Sequence, residues 1–94
     1  EKKYRYAYIN DSGGEISPKM KNLFRDCVVA VKCAQNLVVI KTLSGNGANA
    51  GTVVDKLNYP EIVGTVAGGD TLLVVCNSNE GAATVIDKIN DFMK

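Results

Sequence analysis

Apolar residues recur along this chain with two spacings, and the switches between them mark out its elements. Tyr4, Tyr6 and Tyr8 alternate with Arg5 and Ala7, the period-2 pattern of a strand with one aromatic face. A polar, glycine-bearing stretch from Asn10 to Glu15 follows. Ser17-Pro18 then combines an N-cap with a proline in the first helical turn. Met20, Leu23, Phe24, Cys27 and Val28 fall at i, i+3, i+4, i+7 and i+8, which predicts a helix with a single apolar stripe.

From Val29 to Ala34 the chain turns β-branched, and Gln35-Asn36 joins that run to Leu37–Thr42 as a hairpin. Leu37 to Ile40 is apolar on both faces, as expected of a central strand. Ser44-Gly45-Asn46-Gly47 opens a second helix on Ala50, Val53, Val54 and Leu57, and Asn58-Tyr59-Pro60 ends it. Ile62–Ala67 and Thr71–Cys76 read as two further strands, with Gly68-Gly69-Asp70 between them. The adjacent glycines predict a tight turn that uses positive φ. Ser78-Asn79 caps a last helix with a stripe of Ala82, Val85, Ile86, Ile89 and Met93, and Phe92 beside it.

The resulting order, β-α-β-β-α-β-β-α, predicts an α+β two-layer sandwich, a mostly antiparallel sheet with helices on one face. With 94 residues the chain is expected to be a single domain, 1–94. One sheet face is then left to be covered, and self-association is the usual cover.

Composition narrows the chemistry. There is no histidine, which removes the commonest general base and metal ligand. The net charge is +1, and Lys2, Lys3, Arg5 and Lys19, Lys21, Arg25 read as solvated faces rather than a nucleic-acid stripe. The three cysteines, Cys27, Cys33 and Cys76, lie in apolar runs and are expected to be reduced core thiols of a cytoplasmic protein. No apolar run approaches the roughly 20 residues that span a bilayer. The first residue is Glu1 rather than Met, from which an excised domain or processed chain is expected.

The polar positions are few. Thr65, Asp70 and Thr71 surround the glycine turn, where a carboxylate either caps backbone N–H groups or meets a cation. Asp55 lies off the apolar stripe of the second helix, beside Lys56. No carboxylate pair has the spacing of acid–base catalysis, so an enzyme is not expected. A small α+β lyase or hydratase is the weakest reading, since turnover would fall to Asp55, Asp70 or a tyrosine.

The run Gly64-Thr65-Val66-Ala67-Gly68-Gly69-Asp70-Thr71 has Lys41-Thr42-Leu43-Ser44-Gly45-Asn46 and Asp55-Lys56-Leu57 before it. Together these resemble the C-terminal domain of bacterial arginine repressors over essentially the whole chain. The most specific part is the Gly-Thr-hydrophobic-Ala-Gly-x-Asp-Thr hairpin. The resemblance implies a homotrimer that stacks into a dimer of trimers, with L-arginine as effector at the trimer–trimer interface and no other cofactor. It also implies that DNA is bound only through a separate N-terminal winged helix-turn-helix domain. Residue by residue, Asp55 matches the family's acid on the second helix, and Thr65 and Ala67 match hairpin positions near the ligand. Asp70 matches the second of two adjacent hairpin acids, and Gly69 stands where the first is usual. The family's glutamine near the start of that helix falls at Ala48, with Asn49 beside it. Loss of one charge-assisted partner costs about 1.5–3 kcal/mol, roughly tenfold to a hundredfold in affinity. Two readings follow: the oligomerisation and L-arginine-sensing part of a transcriptional regulator of arginine metabolism, or a trimeric assembly module with weak or no arginine binding.

Overall fold

The structure is a computed structural model and describes residues 16–94. The strand expected around Tyr4, Tyr6 and Tyr8 lies outside the described residues. From there the order is α1 (Pro18–Cys27), β1 (Val28–Ala34), β2 (Leu37–Thr42), α2 (Gly47–Leu57), β3 (Ile62–Ala67), β4 (Thr71–Cys76) and α3 (Asn79–Phe92). The α-β-β-α-β-β-α sequence is the one expected from Ser17 onward.

Helix starts follow local chemistry. The Ser17 hydroxyl accepts from the Met20 N–H at 3.1 Å, and Ser78 does the same for Gly81 at 2.9 Å, so each satisfies an orphan amide of a first turn. Helix α2 ends on Asn58 in the left-handed conformation, φ 54°, two residues before Pro60. The stripe expected on α1 is shorter than its spacing suggests. The helix stops at Cys27, Val28 is already extended, and Leu23 is 59% exposed. The β-branched run that begins at Val28 draws the chain into the sheet before another helical turn can form.

The four strands form one antiparallel sheet in the order β1-β2-β4-β3, which puts β2 at its centre. Val38, Ile40, Leu72, Val74 and Cys76 point to the helical layer and are buried with Phe24, Val54 and Ile89. Phe24 of α1 meets Phe92 of α3 edge to face, ring centroids 5.6 Å apart, which ties the first and last helices over the core. The opposite sheet face follows from the register: Val39 stands beside Leu73, Leu37 beside Val75, and Val66 beside Leu73. It is apolar, and among the described residues nothing covers it, with Val66 62% exposed. Lys41 beside Thr71 closes its polar end.

Cys27 and Cys76 are core thiols as expected, and burial pushes both above the ordinary thiol range. Cys33 is not: it sits near the turn end of an edge strand and is exposed. The glycine turn also differs from expectation. Among the described glycines only Gly45 has positive φ, at 83°. Gly68 and Gly69 turn the chain with ordinary φ, and the Gly68 N–H closes on the Thr71 carbonyl at 2.7 Å. Among the described residues no helix is long and apolar enough to cross a membrane.

Candidate functional site

The polar residues singled out in the sequence gather at three places around α2 and the β3–β4 turn. The first is the seam between α2 and edge strand β3. Thr65 pairs with the core residue Val74, so its side chain faces the helical layer. There its hydroxyl donates to Asp55 Oδ1 at 3.0 Å. Ala67, two residues on and on the same face, lies against Gly51 of α2. Ala48 is exposed one turn before Gly51 and two turns before Asp55. Asp55, Thr65, Ala67 and Ala48 therefore border one surface.

The second place is the turn itself. Asp70 accepts from the Thr71 hydroxyl at 2.9 Å, and Lys41 Nζ lies 3.7 Å from the same carboxylate while donating to Thr71 Oγ1 at 2.8 Å. The Thr71 hydroxyl first, and the Lys41 charge second, hold the Asp70 carboxyl below its ordinary range. Thr65 and Asp70, neighbours across the bend in the sequence, thus face different partners. Gly69 carries the turn toward α2: its carbonyl accepts from Gly45 N–H at 2.8 Å and Gly47 N–H at 3.3 Å, and the Asp70 carbonyl accepts from Thr42 N–H at 2.8 Å. A side chain at Gly69 would enter open space.

The third place is the other flank of α2. Asn49 donates to Asn46 Oδ1 at 3.1 Å and lines a cleft of ≈ 420 Å³ with Met20, Leu23, Leu43 and Thr52. Asn49 is thus separated from Asp55 and Thr65 by the body of the helix. Asn46 itself makes no side-chain cap to α2.

Chemically, the seam and the turn offer two exposed carboxylates, each oriented by a threonine hydroxyl. A carboxylate has roughly four acceptor positions, and the Thr65 contact uses one on Asp55. Among the described residues no lysine or arginine forms an ion pair with Asp55. Such carboxylates suit an ammonium or guanidinium donor. Among the described residues no group of three His, Cys, Asp or Glu side chains is placed to hold a metal.

Lys41 and Gly47, which the sequence does not single out, also lie against the turn. Lys41 reaches Asp70 only through the β2–β4 register, which pairs it with Thr71 thirty residues away. Gly47 lies close to the Gly68 carbonyl, a contact that no local sequence pattern reports.

The family described as "Arginine repressor, C-terminal domain" matches residues 24–91. The arginine repressor of Clostridium tetani is 40% identical over 87 residues, 93% of this chain and 57% of that protein. That of Acetivibrio thermocellus is 37% identical over 92 residues, 98% of this chain and 60% of the relative. The arginine repressor of Caldicellulosiruptor saccharolyticus is 34% identical over 87 residues. The chain thus spans somewhat more than half the length of these relatives. The matched segment contains all four strands, α2, and both carboxylates with their threonines. This chain belongs to the arginine repressor C-terminal domain family.

Proposed function

We propose that this chain is the oligomerisation and L-arginine-sensing part of a cytoplasmic transcriptional regulator of arginine metabolism. The observation that carries the reading is Asp55, exposed at the α2–β3 seam and oriented by Thr65. Its place in a chain similar to proteins named arginine repressors makes L-arginine the cationic ligand to expect. Asp55 and Asp70 receive the ligand's cationic groups, while the backbone around Ala67 and Gly69 and the helix surface at Ala48 frame it. The apolar sheet face of Leu37, Val39, Val66, Leu73 and Val75 supplies a surface for self-association into a homotrimer. Ligand held between two trimers stabilises the hexamer by mass action. DNA is contacted by a winged helix-turn-helix part of the full-length regulator, and this domain performs no catalysis.

The second reading, a trimeric assembly module without effector, rests on two observations. Gly69 and Ala48 bring no polar side chain to the site, and Lys41 already stands beside Asp70. Calorimetric titration with L-arginine, with L-citrulline as the uncharged comparison, separates the two. Saturable heat with arginine alone supports sensing. No heat up to millimolar arginine supports assembly alone.

A further inference from the structure

We infer that Lys41 is a built-in competitor of the ligand: its ammonium pairs with the Asp70 carboxylate, and a cationic ligand must displace it to bind there. This deepens the sensing reading and rests on the assignment of Asp70 to the arginine site.

The two carboxylates of the candidate site differ in their partners. Among the described residues Asp55 pairs with no lysine or arginine, whereas Lys41 Nζ lies 3.7 Å from Asp70 Oδ1. The same ammonium donates to Thr71 Oγ1 at 2.8 Å, and the Thr71 hydroxyl donates to Asp70 Oδ1 at 2.9 Å. An ammonium can only donate, so its bond to Thr71 turns the hydroxyl hydrogen toward Asp70. Asp70 thus carries a positive partner of its own, and Thr71 and Lys41 together depress its carboxyl.

Three features make this partner displaceable. The Lys41 and Asp70 side chains are 47% and 61% exposed, and an ion pair so open to water is weak. Lys41 reaches Asp70 on a flexible stem, so it can swing into solvent with no change in the backbone. The turn does not depend on it: Thr42 N–H holds the Asp70 carbonyl at 2.8 Å, and Gly68 N–H holds the Thr71 carbonyl at 2.7 Å. A guanidinium brings a planar fork of donors that an ammonium lacks, which lets it take the carboxylate from Lys41. Removing the ammonium therefore frees Asp70 without moving it.

The test compares wild type, Lys41→Met and Lys41→Arg by calorimetric titration with L-arginine. Lys41→Met keeps the stem and removes the charge, and it is expected to bind arginine about twofold to fivefold more tightly, the range an exposed ion pair commands. Lys41→Arg puts a stronger competitor in the same place and is expected to bind arginine more weakly than wild type. Unchanged or weaker binding in Lys41→Met overturns the inference and leaves the sensing reading standing. Tighter binding in Lys41→Met, with wild-type or tighter binding in Lys41→Arg, marks a general charge effect and overturns it too. If wild type gives no saturable heat, the sensing reading fails for this chain and Lys41→Met decides the inference. Saturable binding by that variant supports it, and none overturns it.

Discussion

The Thr65 hydroxyl donates to Asp55 Oδ1 at 3.0 Å, joining edge strand β3 to the exposed flank of α2 across ten residues of sequence. The contact is exposed, so its worth to folding is small, and its consequence is the fixed direction of a carboxylate. Asp55→Asn keeps the shape and an acceptor for Thr65 but removes the charge. L-arginine affinity is expected to fall by about tenfold to a hundredfold, the loss of one charge-assisted hydrogen bond. The melting temperature is expected to stay near wild type, and titration alongside a thermal melt checks both.

Gly69→Asp acts in the opposite direction. The position is open, with no atom within 4 Å of an added Cβ, and φ is not in the left-handed region. A second turn carboxylate beside Asp70 is expected to raise arginine affinity roughly tenfold or more. Unchanged affinity would place the turn too far from the ligand.

Asp70→Asn is expected to abolish arginine-driven assembly while leaving trimers intact, because the trimer surface proposed above lies on the sheet face. Sedimentation of the variant with and without arginine reads both states.

Acid lowers stability through two carboxyls. Asp70, held low by Thr71 and Lys41, and Glu61, held low by its hydrogen bond from Lys88 at 3.1 Å, have ordinary values of 3.8 and 4.5. Because both are depressed in the folded protein, their contribution is complete above those values. It is lost as pH falls through the lowered ones. Lys88→Met is expected to flatten the fall of melting temperature below about pH 4.5, because the largest cause of the Glu61 depression is then removed. Asp70 is exposed and Glu61 only half-buried, so solvent screens both and the flattening is modest. Melts from pH 6 to pH 3 check it.

The core predicts a larger effect. Phe24 is 1% exposed and packs edge to face on Phe92. Phe24→Ala is expected to cost about 3–5 kcal/mol, measured by urea unfolding of a single oligomeric state.

Much of this architecture was legible from local residues. Ser17-Pro18 and Ser78 announce helix starts through chemistry confined to one turn, and the four short apolar runs between Val29 and Cys76, bounded by turn residues, read as strands. The continuous apolar run Leu37–Ile40 marks the central strand, with Val38 and Ile40 in the core and Leu37 and Val39 on the opposite apolar face. Where local patterns continue across a boundary, they mislead. Val28 keeps the helical phase of Phe24 yet belongs to β1, and Cys33 is as apolar as its neighbours yet lies at an edge. Of the candidate site, Asp55 and Thr65 stand out as polar positions and Ala67 only through the family resemblance, and the structure brings the three to one seam. Asn49 was grouped with them, yet it lies on the other flank of α2. Asp70 was recognised too, but its partner Lys41 depends on a register between distant strands. The turn glycines were assigned positive φ they do not use. The close approach of Gly47 to a backbone carbonyl is one that no sequence pattern reports.

The most direct measurement is sedimentation velocity of this chain at fixed concentration, with and without millimolar L-arginine, and with L-lysine and L-citrulline in parallel. The account predicts trimers that become hexamers with arginine and with neither of the other two. An unchanged trimer in all four conditions would contradict it and leave an assembly module.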